Sequence, residues 1–187
     1  QSFDKLSREF PINKGQPILL YVGSGFKRKG VKEFLRLIAK LKDLNFKAFI
    51  IGKEKKIKYY QDLAKGLDIE HQVIFTGPRE DVDDFYTISD IFLFPTRYEP
   101  FSNVVLEAMN FENVVFTTQQ NGASEILDDE FVMDTSQDLS VVQKIDKLLS
   151  DKEALKVVKK SNRSKSKQFS IEKNLSETLR VINEVVD

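Results

Sequence analysis

Short apolar runs alternate along this chain with longer stretches of helical period. Ile18-Leu19-Leu20-Tyr21-Val22 is unbroken, stops at Gly23, and reads as a strand buried on both faces. From Val31 the period changes, and Val31, Phe34, Leu35, Ile38 and Leu41 fall on one face of a helix. The alternation then repeats. Strands are expected over 46–51, 73–76, 91–94 and 114–117, and helices over 57–67, 81–89 and 103–111. A short helix over 123–127 and a weak strand over 131–133 follow. From Asp138 the pattern is helical, over about 138–149, 151–167 and 171–186. Ser170 stands where the N-cap of the last helix belongs, with Lys173 in place of a capping-box glutamate. Residues 1–16 are mixed and polar and read as a lead-in or linker.

Strands alternating with helices imply βαβ units, hence an α/β fold: an open, doubly wound, mostly parallel sheet with helices on both faces and a helical tail. Ligands of such sheets bind at the carboxyl ends of the strands, near the point where strand order reverses. The loops after Val22, Ile51, Thr76, Phe94 and Thr117 are therefore where chemistry is expected.

Composition narrows the chemistry. The 187 residues suit one domain, and 41% apolar residues suffice for a core. There is no cysteine, which excludes a disulfide scaffold, a thiolate metal site and a cysteine nucleophile. The single histidine, His71, excludes an all-histidine metal site and reads as a surface loop residue. The net charge of zero argues against a general nucleic-acid binder. That zero hides an asymmetry: residues 1–65 carry 16 Lys/Arg against 6 Asp/Glu, and residues 66–140 carry 2 against 16. A basic first third points to an anionic ligand or surface, or else to solvated lysines on helix faces. Lys53 to Lys58 is a solvated helix start that could touch an anionic membrane surface. Asp81, Asp83 and Asp84 suit a helix N-terminus better than a metal site.

Two segments carry chemistry. Gly23-Ser24-Gly25-Phe26-Lys27-Arg28-Lys29-Gly30 has glycines that admit close backbone approach, three consecutive cations, and a helix N-terminus behind it. A diphosphate suits this loop, although an exposed basic turn would look the same. It is neither a Walker A loop nor a dinucleotide fingerprint, since Arg28 occupies the third glycine position. The second segment runs from Tyr98 to Met109. Glu99 precedes a helix opened by Phe101, Ser102 and Asn103, whose free backbone N–H groups point out of its end. Glu107 lies inside that helix among Val104, Val105, Leu106, Ala108 and Met109. A half-buried carboxylate there calls for a ligand or partner; the alternative is a glutamate on the solvated edge.

These residues resemble the retaining glycosyltransferases of family 4. Glu99 and Glu107 stand eight apart, with Pro-Phe after the first and Ala-Met after the second, as in that family's paired-glutamate signature. The loop from Val22 to Val31 is similar to its phosphate loop, and Asn121-Gly122-Ala123-Ser124-Glu125-Ile126 to a turn after its next strand. The resemblance runs from Ile18 to Asp187 and looks closest to the branch that glucosylates lipopolysaccharide core. It implies the GT-B fold, two Rossmann-like domains across a cleft, of which this chain is the C-terminal, donor-binding one over residues 17–170. Arg28 and Lys29 match the basic pair on the donor diphosphate and, with Glu99 on the donor sugar, the catalytic set. Gly23, Phe101, Ser102 and Asn103 match backbone that meets sugar and phosphate, and Glu107 matches the glutamate on the ribose hydroxyls. Arg79 sits where the family contacts the base.

The partners so implied are a nucleoside diphosphate sugar of the UDP-hexose kind, a saccharide or lipopolysaccharide acceptor, and an N-terminal domain. A face of Ile171, Leu175, Leu179 and Ile182 could pack on that domain, or within this one. No cofactor and no metal are expected, and the implied location is the cytoplasm, with possible peripheral contact at the inner membrane. Two departures stand out. Ser102 replaces a common glycine, and Glu112-Asn113-Val114 replaces a Gly-x-Pro turn. A non-catalytic nucleotide-binding module, a nucleotide-sugar epimerase of the same fold, and an interaction domain using its basic third are the alternatives.

Overall fold

The computed structural model describes residues 1–169. Six parallel strands form one sheet: β1 (Ile18–Val22), β2 (Lys47–Ile51), β3 (Val73–Gly77), β4 (Ile91–Phe94), β5 (Val114–Thr118) and β6 (Val132–Met133). Their order is β3-β2-β1-β4-β5-β6. Every residue of β1, β4 and β5 is buried, so these strands must be covered on both faces. The cover comes from α2 (Val31–Ile38), α3 (Ile57–Gly66), α4 (Val82–Ile88), α5 (Asn103–Asn110), α6 (Ser140–Ser150) and α7 (Lys152–Ser166). Steps from β1 to β2 to β3 run one way across the sheet, and the step from β4 to β5 runs the other. Right-handed crossovers then place α2 and α3 on one face and α5 on the opposite one. Strand order reverses between β1 and β4, so a crevice opens at their carboxyl ends. The expected doubly wound, Rossmann-like α/β architecture is the one observed.

Residues 1–16 depart from the expected linker. Ser2–Glu9 forms a helix, α1, whose Leu6 is fully buried. Lys5 reaches across to α4, its Nζ 2.6 Å from both Asp81 and Asp84 carboxylates. Phe10 then packs edge-on against Phe49, with ring centroids 5.2 Å apart, and joins the core.

The turn at 112–114 explains how glycine is dispensed with. Glu112 itself takes the left-handed conformation, at φ 61°. Buried Asn113 then donates its side-chain amide to the Tyr86 and Phe111 carbonyls, at 2.9 and 3.2 Å. Asn162 of α7 donates to the Asn113 carbonyl at 2.9 Å, so the helical tail is fastened at the same turn. Asp151 caps α7 by accepting from Glu153 and Ala154 N–H. The helix expected over 171–186, its Ser170 cap and its apolar face lie outside the described residues.

Candidate active site

The loop after β1 and the loop after β4 meet above the crevice. Gly30, the N-cap of α2, adopts φ 81°, and a Cβ there would lie 1.9 Å from the Pro95 carbonyl oxygen. Only glycine allows this approach. The Arg97 N–H donates to the Arg28 carbonyl at 3.1 Å, which fixes one loop on the other. The Gly23 N–H donates to the Ile51 carbonyl, and the Lys29 stem lies over Gly23, 3.1 Å from where a Cβ would stand. Phe26 turns inward and is buried against Tyr21 and Tyr60. Burying Phe26 leaves the cations of the loop at its rim.

Glu99 is held by its backbone. Its N–H donates to the Gln120 carbonyl and its carbonyl accepts from Gly122 N–H, both at 3.0 Å, in a one-residue bridge to Asn121. A Cβ on Gly122 would meet the Pro100 carbonyl oxygen at 2.0 Å, so this crossing also requires glycine. Asn121 is fully buried; it donates to Thr117 Oγ1 at 3.0 Å and caps the following turn through Ala123 N–H. Thus pinned, the Glu99 side chain accepts from Arg28 Nη1 at 3.0 Å and faces Lys29 Nζ at 3.5 Å. Arg28 also donates to the Tyr98 carbonyl at 2.8 Å. Lys29 Nζ lies 5.6 Å from the centre of the Phe94 ring at the end of β4. The structure therefore brings Arg28, Lys29, Gly23 and Glu99 together at the β1/β4 crevice.

The helix α5 opens beside them. Ser102 is its N-cap, buried and extended at φ −111°, and its side chain makes no capping bond. That backbone does not need glycine, which accounts for the serine. The first N–H groups of α5 have no partner within the helix. Phe101 and Asn103 are exposed at this end. Of the two readings open for Glu107, the structure shows the solvated edge. Val105, Ala108 and Met109 face the core, which leaves Glu107 on the exposed side, where Tyr86 Oη donates to it at 3.0 Å. Burial, and then the Glu107 charge, push the Tyr86 hydroxyl well above its usual range, so it stays a donor.

Arg79 is placed differently from the other expected residues. Its guanidinium makes a two-pronged bond to Glu9, at 2.7 and 3.0 Å, and another to Asp81, at 2.9 and 3.0 Å. It also lies over the Phe10 and Phe85 rings. So engaged, Arg79 clasps α1 to the start of α4. Arg79, then Lys5, hold the Asp81 carboxyl far below the ordinary range.

Two residues of the site escaped sequence reasoning. Arg97 pairs with Glu33 of α2 at 2.6 Å, and Glu33 is 2% exposed. A glutamate at a core-facing position of α2, with an arginine two residues before Glu99, was the available signal. Among the described residues no helix is long and apolar enough to cross a membrane.

The family model for glycosyl transferases group 1 matches residues 2–165. N-acetyl-alpha-D-glucosaminyl L-malate synthase of Bacillus anthracis is 26% identical over 178 residues, covering 92% of this chain and 47% of its own. The lipopolysaccharide glucosyltransferase WaaG of Escherichia coli K12 is 33% identical over 121 residues, 63% of this chain and 32% of that protein. The crystal structure of WaaG superposes with a TM-score of 0.80 at 26% identity, over 91% of this chain and 48% of that one. Anabaena HepE, solved with UDP and glucose, shares the fold at a TM-score of 0.83 and 19% identity, over 96% of this chain and 52% of its own. The chain spans about half, or less, of the length of these relatives.

Proposed function

Because the chain belongs to the group 1 glycosyl transferases, we propose that it is the donor-binding half of a retaining, two-domain GT-B enzyme. That enzyme moves a hexose from a nucleoside diphosphate to a saccharide acceptor. The observation that carries this reading is the one carboxylate, Glu99, shared by Arg28 and Lys29 above the uncapped start of α5. Two cations on one carboxylate leave a positive excess, and an uncapped helix end adds to it. A diphosphate seated there takes over the cations and frees Glu99 to accept from a sugar hydroxyl. Glu107, held in place by Tyr86, accepts from the ribose.

In the transfer, the bond between sugar C1 and the terminal phosphate oxygen breaks, and its electron pair stays on that oxygen. Arg28, Lys29 and the α5 N–H groups stabilise the added charge, which is where fixed dipoles and cations lower a barrier most. The acceptor hydroxyl forms the new bond to C1, and its proton passes to the departing phosphate oxygen. These cations serve the leaving group without a divalent ion. The WaaG relationship favours a lipopolysaccharide core or related surface glycan as acceptor, and the HepE likeness favours UDP-hexose as donor. The enzyme then works in the cytoplasm, against the inner face of the membrane where such acceptors are presented.

Calorimetry with UDP, GDP and ADP tests the reading. One nucleotide binds, binding persists in EDTA, and Glu107→Ala weakens it by about tenfold or more, the worth of one charge-assisted hydrogen bond. Failure of all three nucleotides to bind contradicts it. Sugar transfer by the chain joined to its N-terminal half separates an enzyme from a silent nucleotide-binding module.

A further inference from the structure

A second cationic site stands beside the first, on the other side of the loop after β1. It is a pocket of about 440 Å³ at the N-terminal ends of α2 and α3. Lys27, Lys32, Lys56 and Arg97 converge on it. Both of its carboxylates take hydrogen bonds from the protein, Glu54 on both oxygens and Glu33 on one, its Oε2 staying unpartnered. Glu54 accepts from the Phe26 and Lys56 backbone N–H groups, at 3.2 and 2.9 Å, and buried Glu33 accepts from Arg97 at 2.6 Å. Among the described residues none of the three lysines has an ion-pair partner, and the Arg97 side chain remains 48% exposed.

The wall of this pocket is aromatic. Tyr59 is 51% exposed and stands edge-on to buried Tyr60, with centroids 5.0 Å apart. Tyr60 in turn stands edge-on to Phe26 of the loop, at 5.2 Å. The exposed ring is thereby fixed by the core, as a stacking platform for a sugar must be. A smaller hollow of about 360 Å³, lined by Gly25 and Arg28, shares Lys27, Glu54 and Arg97 with the pocket and joins it to the Arg28–Glu99 cluster.

We propose that this pocket binds a phosphorylated sugar residue of the acceptor, its phosphate on Lys27, Lys32, Lys56 and Arg97 and its ring against Tyr59. Four cations against two carboxylates leave a positive excess that suits a dianion, and the connecting hollow leads the rest of the saccharide toward the transfer site. The assignment to the acceptor rests on the donor reading above; the pocket's preference for a sugar phosphate does not.

The test uses the 187-residue chain saturated with UDP and titrated with glucose 6-phosphate, glucose and inorganic phosphate. Glucose 6-phosphate binds without displacing UDP, and glucose does not bind. The double variant Lys32→Ala/Lys56→Ala weakens glucose 6-phosphate by about tenfold or more and changes UDP affinity by less than about twofold. Tyr59→Ala weakens glucose 6-phosphate but not inorganic phosphate. Absence of glucose 6-phosphate binding, its displacement of UDP, or indifference to the lysine variant overturns the proposal. So does retention on phosphatidylglycerol vesicles without binding of the soluble sugar phosphate, which would assign the lysines to a membrane surface. If UDP itself does not bind, the titration is repeated without it. A lysine-dependent glucose 6-phosphate signal then sinks the donor reading and leaves this site standing.

Discussion

Two clusters of charge in this molecule have opposite stoichiometry. At the clasp, the Arg79 guanidinium is shared by two carboxylates, Glu9 and Asp81, and Lys5 bridges Asp81 and Asp84. At the crevice, one carboxylate, Glu99, is shared by two cations, Arg28 and Lys29. The first cluster is complete and joins α1 to α4. The second holds a positive excess on backbone fixed by glycines, where rigidity has a cost that the fold alone does not require. A saturated cation fastens structure, whereas cations in excess of their carboxylate await an anion. Arg79 is thereby committed to the join between α1 and α4, whereas Arg28 and Lys29 keep capacity for a further anion.

The most damaging substitution falls where the two loops of the crevice cross. Gly30→Ala strikes the frame of the crevice, because the added Cβ meets the Pro95 carbonyl at 1.9 Å in a left-handed backbone. A loss of about 2–4 kcal/mol in denaturant unfolding is expected, with the two loops forced apart. Next comes a crossed pair. Arg28→Ala weakens UDP by about 10- to 100-fold and costs little stability. Arg79→Leu costs about 1–2 kcal/mol of stability, with UDP affinity held within about twofold. If Arg79→Leu abolished nucleotide binding while the fold persisted, the clasp reading would be wrong.

Acid titration gives a smaller signal. Asp81 has a depressed carboxyl in the folded state, because of Arg79 first and Lys5 second. Its contribution is fully present above the unfolded value near about 4 and is lost as pH falls toward the folded value. Unfolding midpoints should therefore drop on acidification below about pH 4, and Asp81→Asn should flatten that slope. The least effect belongs to Tyr86→Phe, which removes only the bond that steadies Glu107. It should cost about 1 kcal/mol or less, with a few-fold weaker UDP binding.

Much of this was legible in the sequence, for physical reasons. Strands buried on both faces leave unbroken apolar runs, so β1, β4 and β5 announced themselves within a residue of their ends. The glycine-rich turn after β1 and the segment holding Glu99 were the loops that the structure brings together at the crevice. The helix α1 was hidden because only Phe3, Leu6 and Phe10 mark its apolar side, and the rest of its anchorage is ionic, to residues 76 and 79 positions later. The role of Arg79 was hidden for the same reason, since its partner Glu9 lies 70 residues away. Of the two readings of Glu107, the solvated edge is the one observed, because apolar neighbours along the chain do not share its side of the helix. On a helix, residues at i−2, i+1 and i+2 turn to other sides, and Val105, Ala108 and Met109 did so.

A diphosphate seated on the Arg28–Lys29–Glu99 cluster makes the phosphates, not the nucleoside, the main source of nucleotide affinity. Parallel titrations of the chain and its Arg28→Ala/Lys29→Ala variant with UDP and with uridine test it most directly. The chain should prefer UDP over uridine by about 100-fold or more, and the double variant should lose most of this preference while its uridine affinity is unchanged. Equal affinities for UDP and uridine, or a variant that keeps the full preference, would contradict it.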